Sequence, residues 1–322
     1  MKAIVQGSYG SADVLELRDI DIPVVGDHDV LVRVHAAGVD IGVWHVMAGK
    51  PYLLRVIGFG LRKPKVPLRG RDVAGVVEAM GKNVTRFQPG DEVFGTADGS
   101  FAEYASAPEA RLVRKPANLT FEQAAAVPIS GGTALQGLRK GDIQSGQEVL
   151  IVGASGGVGS FAVQLAKTFG AKVTGVSSTA KMDFVRSLGA DDVIDYTHED
   201  FADGTRQWDL VLDTGGRRSL SDLRRALTPK GTLVIVGGEG GGNVLGGFDR
   251  NIRSGLASKF VSQRLTMLTS KERGEDFEAL RELIEAGKVT PVIDRIYPLN
   301  EAPEAIRYLQ EGHARGKIVL TV

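Results

Sequence analysis

The sequence contains no cysteine, carries no excess of either charge and has no unbroken apolar run long enough to suggest a membrane span. Lacking Cys, the chain forms no disulfide, thiolate metal site or cysteine nucleophile, which suits a reducing compartment; a cytoplasmic protein is expected. Lys and Arg number 39 and Asp and Glu 39, a formal net charge of zero. Such a balance provides no field to draw in nucleic acid or an anionic membrane, so neither partner is expected. The segment MKAIVQGSYG has no apolar stretch behind Lys2 and does not read as a secretory signal. The uncharged run from Val149 to Ala166 is interrupted by Gly153, Ser155, Gly156, Gly157 and Gly159, which argues against a transmembrane helix.

What is present is length for about two domains, 322 residues with 42 Gly. Up to residue 115, β-rich runs at Ala3 to Val5, Val30 to His35, Val73 to Ala79 and Glu92 to Gly95 are separated by Gly and Pro, the texture of an antiparallel, barrel-like region. From about Phe121, apolar strands alternate with helical stretches, the pattern of a parallel sheet wound with crossover helices. Strands are expected at Glu148 to Val152, Lys172 to Val176, Asp192 to Ile194, Leu210 to Asp213, Thr232 to Val236 and Arg264 to Leu268. An amphipathic helix through Phe277, Leu280, Leu283 and Ile284, a second helix at Ala302 to Leu309 and a strand at Ile318 to Val322 follow; this tail is expected to rejoin the first domain.

The strongest chemical signal is EVLIVGASGGVGSFAVQLAK, Glu148 to Lys167, an apolar strand entering a Gly-rich turn and then a helix. Ala154, Gly156 and Gly159 give A-x-G-x-x-G, one residue away from the dinucleotide fingerprint. Gly156 would let the backbone approach a pyrophosphate and Gly159 would let the helix pack on its strand. The N–H groups of the helix start would face the phosphates. Ala154, Ser155, Gly156, Gly157, Val158 and Gly159 are the expected cradle.

The end of the second strand separates NAD from NADP, because a carboxylate there accepts from the adenosine ribose whereas a 2′-phosphate needs hydroxyls or cations. Here it reads Ser177, Ser178, Thr179, Ala180, Lys181, with no carboxylate before Asp183. Ser177, Ser178 and Lys181 therefore predict NADPH.

With these residues placed, the chain resembles the medium-chain dehydrogenase/reductase superfamily, in its zinc-independent quinone oxidoreductase and alkenal/enone reductase branch. The segments carrying the likeness span nearly the whole chain: AAGVD at Ala36 to Asp40, GRDVAGVVEAMGKNVTRFQPGDEVFG at Gly70 to Gly95, GSFAEYA at Gly99 to Ala105, AAAVPISGGTALQGL at Ala124 to Leu138, VRSLGADDVIDYT at Val185 to Thr197 and GHARGKIVL at Gly312 to Leu320. The resemblance implies an α/β fold: a GroES-like β-barrel catalytic domain built from both termini, residues 1–124 and 269–322, around an inserted Rossmann NADP-binding domain, residues 125–268. It implies an active site in the cleft between them. Where zinc-dependent relatives place Cys and a His-Glu pair, this chain has Asp40, Arg71 and Asp72, so no zinc is expected. The resemblance further implies cofactor contacts at Thr133, Tyr196, Gly237, Gly238 and Lys317, and a homodimer paired through Arg264 to Leu268 or the Gly-rich segment before it.

Hydride transfer without a metal needs the nicotinamide held against its acceptor and an oxyanion stabilised, so no loud catalytic motif is required. Tyr52 is the leading proton donor, and Asp40 is placed to hydrogen-bond cofactor or substrate. Trp44 and His45 read as packing or capping groups. The apolar segment Leu53 to Lys65 is expected to shape or cover the acceptor pocket. An NADPH-dependent reductase of quinones or α,β-unsaturated carbonyls is the main reading. A metal-free alcohol or carbonyl oxidoreductase and a non-catalytic, crystallin-like NADPH-binding protein stay open beside it.

Overall fold

The computed structural model describes residues 1–237, 242, 246 and 261–322, and the chain divides into two compact units. The first comprises Met1–Gly132, Glu272–Gly287 and Pro291–Val322, the second Thr133–Lys271 and Lys288–Thr290.

In the first unit the strands are β1 (Lys2–Gln6), β2 (Leu15–Asp19), β3 (Asp29–Val39), β4 (Asp72–Met80), β5 (Glu92–Thr96), β6 (Tyr104–Pro108) and β7 (Leu112–Arg114). Strand β3 buries Val30, Leu31, Val32 and Val34 and the run Ala36 to Val39, leaving Arg33 exposed, the pattern of a strand covered on both faces along most of its length. Val30, Val32 and Val34 pack with Val73, Val77, Phe87, Val93 and Leu112 into one core. Two helices follow the early strands: α1 (Ile41–Ala48) and α2 (Phe121–Ala125). Thr120 and Gln123 close a capping box on α2, which fixes where that helix starts.

Helix α3 (Pro128–Lys140) carries the boundary between the units, so the division falls at Gly132/Thr133 and again at Lys271/Glu272, later than the expected 124/125 and 268/269. The composition changes at Phe121, but packing changes further on. A Cβ on Gly131 would stand 3.1 Å from Leu280 and one on Gly132 would stand 3.3 Å from Phe277, so the start of α3 belongs to the first unit's core.

The second unit holds β8 (Glu148–Val152), α4 (Gly157–Thr168), β9 (Lys172–Ser177), α5 (Met182–Ser187), β10 (Asp192–Asp195), β11 (Trp208–Asp213), α6 (Leu220–Arg225), β12 (Leu227–Ile235) and β13 (Arg264–Met267). All strand pairs are parallel, in the order β10-β9-β8-β11-β12-β13. Apolar runs such as Val149–Val152 and Leu210–Leu212 are buried throughout, as a sheet covered on both faces demands. Residues 288–290 join this unit because the Gln164 amide donates to the Thr290 carbonyl at 3.0 Å and accepts from the Thr290 N–H at 2.8 Å.

The remaining elements return to the first unit: α7 (Gly274–Glu285), β14 (Ile293–Pro298), α8 (Ala302–Glu311) and β15 (Lys317–Thr321). Helix α7 buries Phe277, Leu280 and Ile284, the spacing of one helical face. Strand β15 pairs antiparallel with β3, Ile318 opposite Val39, completing the order β14-β15-β3-β4-β5-β7 with β6 also on β3. Among the described residues no helix is long and apolar enough to cross a membrane.

Candidate functional site

In the second unit the chain runs outward from β8 through β9 to β10, then restarts on the other side at β11. The C-terminal ends of β8 and β11 therefore form the point where the winding reverses, the place where such sheets bind nucleotides. There the Thr214 hydroxyl donates to the Val152 carbonyl at 2.7 Å, and buried Asp213 accepts from the Gly216 N–H at 3.0 Å. Sequence reading passed over this second wall. Its only signal is a DTGG turn closing a strand.

Gly156 caps α4 with extended backbone and no side chain, so the first N–H groups of a 12-residue helix stay available. A Cβ on Gly159 would fall 2.1 Å from the Gly153 carbonyl oxygen, whereas one on Gly156 would meet only that oxygen, at 3.5 Å. The first glycine is required by helix-to-strand packing and the second keeps space open above the helix start. Ala154, the departure from the fingerprint, is accommodated because its methyl lies over β9, where a Cβ on Gly175 would stand 3.1 Å away. Ser155 is buried beside it, and Gly157 and Val158, half-buried, begin the helix. A strand, a tight turn, an unobstructed helix start and a reversal point together fit a dinucleotide.

At the end of β9, Ser177 is buried, Ser178 and Lys181 are half-buried and Thr179 is exposed. Tyr196 is exposed, and its N–H donates to the Ser177 carbonyl at 3.1 Å, which brings it to the same end. A carboxylate stands here after all. Asp195, opposite Ser177 in the β9–β10 register and 5% exposed, accepts from the Thr197 N–H at 3.0 Å, the Thr197 hydroxyl at 2.7 Å, His198 Nδ1 at 3.0 Å and the Thr179 hydroxyl. These donors, Thr179 first, hold its carboxyl far below the usual carboxylate range. Linear reading along β9 misses it because the strand beside β9 supplies it.

The other expected cofactor residues take varied positions. Thr133 lies within α3, its hydroxyl 3.1 Å from the Ser270 hydroxyl. The Gly237 N–H donates to the Asp213 carbonyl at 3.0 Å, beside the second wall of the reversal point. Gly238 lies outside the described residues.

In the first unit the expected zinc-ligand positions have other work. Asp40 caps α1, its Oδ1 accepting from the N–H groups of Gly42 at 2.8 Å and Val43 at 3.3 Å, while its buried Oδ2 has no hydrogen-bond partner among the described residues. The Arg71 guanidinium pairs with Asp98 and Glu272, and Arg111 reaches the same carboxylates at 3.5 and 3.6 Å. Asp72 accepts from the Ile129 N–H at 2.7 Å and from Lys317 Nζ at 2.9 Å. Burial pushes Asp72 up to about 6, against the pull of Lys317. Sequence reading set Lys317 against the cofactor; here its ammonium is sealed in this pair, its side chain 2% exposed.

Tyr52 is 42% exposed, with the Arg55 guanidinium 4.8 Å from its ring centre and 4.4 Å from that of Tyr9. The following segment makes a π-helical turn, Arg55–Phe59, that leaves Val56, Ile57 and Leu61 exposed. His45 Nδ1 lies 2.9 Å from the Lys50 carbonyl and its ring is tilted against Trp44, a local structural role for both.

Comparison with known proteins identifies the family. A family model described as the alcohol dehydrogenase GroES-like domain matches residues 26–117, and one described as zinc-binding dehydrogenase matches residues 188–320. The chain is 36% identical to 2-methylene-furan-3-one reductase of Solanum lycopersicum over 99% of its own length and 79% of that protein. It is 33% identical to human (Homo sapiens) quinone oxidoreductase over 99% of its length and 97% of that protein. The crystal structure of Escherichia coli quinone oxidoreductase complexed with NADPH superposes with a TM-score of 0.85, at 26% identity and with all of both chains covered.

Proposed function

The chain belongs to the medium-chain dehydrogenase/reductase superfamily, in its quinone oxidoreductase and alkenal/enone reductase branch, and on that premise we propose that it is an NADPH-dependent reductase of quinones or α,β-unsaturated carbonyls. The observation that carries the reading is the unobstructed turn Ala154 to Gly159 at the sheet's reversal point, where Gly159 admits no side chain and Gly156 leaves room for a phosphate. NADPH, when bound, supplies a hydride to the β-carbon of an enone or to a quinone ring. Ala154 to Gly159 hold the pyrophosphate, Ser177, Ser178, Lys181 and Tyr196 the adenosine phosphate end, and Thr133, Gly237 and Gly238 the nicotinamide side.

On the acceptor side the chain must orient the substrate and return a proton. Asp40 Oδ2, a buried acceptor with no donor among the described residues, receives a hydrogen bond from cofactor or substrate once binding uncovers it. The Tyr52 hydroxyl donates a proton to the α-carbon of the enolate left after hydride addition, and the exposed phenol regains it from water. A quinone needs less help, because its reduced oxygens take protons directly from solvent.

Zinc does not fit these residues. Of the three positions, one carries a cation, Arg71, one carboxylate caps a helix and the other is sealed against Lys317. We read the enzyme as zinc-independent. The lack of cysteine supports a cytoplasmic setting, and β13, at one end of the sheet order, is the edge through which we expect a homodimer to pair.

The test is loss of NADPH absorbance by chelator-treated protein with a naphthoquinone, an alkenal, an enone and an aldehyde. Rapid oxidation with quinone or enone, unchanged by chelator, is expected. Turnover of the aldehyde alone, or activity lost on chelation, would refute the assignment.

A further inference from the structure

The adenosine end of the crevice holds two opposed sets of groups. Ser177, Ser178 and Lys181 suit a phosphate, yet Asp195 places a carboxylate at the same strand end, in register with Ser177. In dinucleotide-binding sheets a carboxylate at the end of the second strand accepts from a ribose hydroxyl and disfavours a 2′-phosphate; here the carboxylate comes from the next strand, β10, and reaches that end through Thr179.

The hydrogen-bond directions sharpen this. Asp195 accepts from four donors, so the carboxylate itself has little capacity left for a ligand. Thr179 is the exposed member of the set, and its one hydroxyl proton is committed to Asp195 Oδ2. Thr179 Oγ1 also lies 3.2 Å from the Thr197 hydroxyl, so with its proton given to Asp195 it has one lone pair left to offer a ligand. A 2′-hydroxyl can donate to it; a 2′-phosphate dianion has only acceptors to offer and meets the negative charge of Asp195 behind it.

We propose that Thr179, oriented by Asp195, is an acceptor for the adenosine ribose hydroxyl, so that the protein takes NADH as a second cofactor and favours NADPH only weakly. The inference rests on the NADPH reading above. Thr179 is the contacting residue and Asp195 the positioning one. An amide in place of Asp195 reverses the geometry: its NH2 donates to Thr179 Oγ1, which frees the hydroxyl proton to turn outward toward a phosphate.

The experiment is titration of the full-length protein with NADPH and with NADH, followed by tryptophan fluorescence or calorimetry, in wild type, Asp195→Asn, Thr179→Val and Thr179→Ser. Wild type should bind both, with dissociation constants within about tenfold of each other. Asp195→Asn should raise the preference for NADPH by about tenfold or more, tenfold being the scale of one unit charge removed a few ångströms away under water-like screening. Thr179→Val should weaken NADH by about fivefold, the loss of one hydrogen bond, and spare NADPH. Thr179→Ser should keep the wild-type ratio. An unchanged ratio in Thr179→Val, or wild type binding NADPH with no measurable NADH binding, overturns this inference alone. Failure of wild type to bind either nucleotide overturns the cofactor reading and this inference with it. Because Thr179 is exposed, its variants decide the matter even if Asp195→Asn fails to fold.

Discussion

Lys317 and Asp72 lie 245 residues apart in the chain and close an ion pair of 2.9 Å whose side chains are 2% and 0% exposed. The pair ties the C-terminal strand β15 to the first residue of β4. Two charges so deeply buried are stable only together, because either one left alone pays its full desolvation cost.

Lys317→Met should therefore lower the unfolding free energy by about 3–5 kcal/mol, read from urea denaturation, while Asp72→Leu combined with Lys317→Met recovers most of it. A single-variant loss below about 1 kcal/mol would mean that the pair contributes little.

Asp72 also sets a pH dependence. Its folded value, pushed up to about 6 by burial, exceeds the ~3.9 of an unfolded aspartate, so the folded chain holds the proton more tightly. The stability of wild type relative to Asp72→Asn should then fall as pH rises from about 4 to about 6, by roughly 3 kcal/mol, and level off above. Unfolding curves at stepped pH check this. A difference that grows with rising pH would reverse the assignment.

Gly159→Ala and Gly156→Ala should separate folding from binding. The first puts a methyl 2.1 Å from the Gly153 carbonyl oxygen and should cost about 1–3 kcal/mol in thermal or urea unfolding, with cofactor binding lost as well. The second meets nothing nearer than 3.5 Å and should fold normally, yet bind NADPH about tenfold more weakly, the worth of one backbone approach to a phosphate. Equal affinity in Gly156→Ala and wild type would move the pyrophosphate elsewhere.

Asp40→Asn keeps an oxygen to cap α1, so its melting temperature should stay near wild type, whereas Asp40→Ala should lose about 1 kcal/mol. Both should reduce kcat/KM at least tenfold if Oδ2 receives a hydrogen bond during turnover. Full activity in Asp40→Asn would confine this residue to capping.

Tyr52→Phe retains the ring beside Arg55 and removes only the hydroxyl. It should lower kcat with an enone by about 10²-fold and leave a quinone little affected, since only the enolate needs a proton on carbon. A uniform loss with both acceptors would point to packing instead.

The glycine turn was legible because each part of it is local: a strand, a close packing contact and an open helix start are all encoded within Glu148 to Lys167. The same locality gave α7, α8 and most strands of the parallel sheet. The unit boundary was displaced because it depends on Gly131 and Gly132 lying against Leu280 and Phe277, residues more than a hundred positions further on.

What the sequence determined by itself is the pattern of elements, the glycine-rich turn between β8 and α4 and the absence of thiol chemistry, all set by residue type and short-range spacing. The tertiary structure alone decided which charges meet. It turned Lys317 from an expected cofactor contact into the partner of Asp72, and it brought Asp195 to the end of β9, where linear reading finds no carboxylate. Those encounters depend on which strands are neighbours in the sheet, and strand order is fixed by burial of whole faces, which no short stretch of sequence specifies.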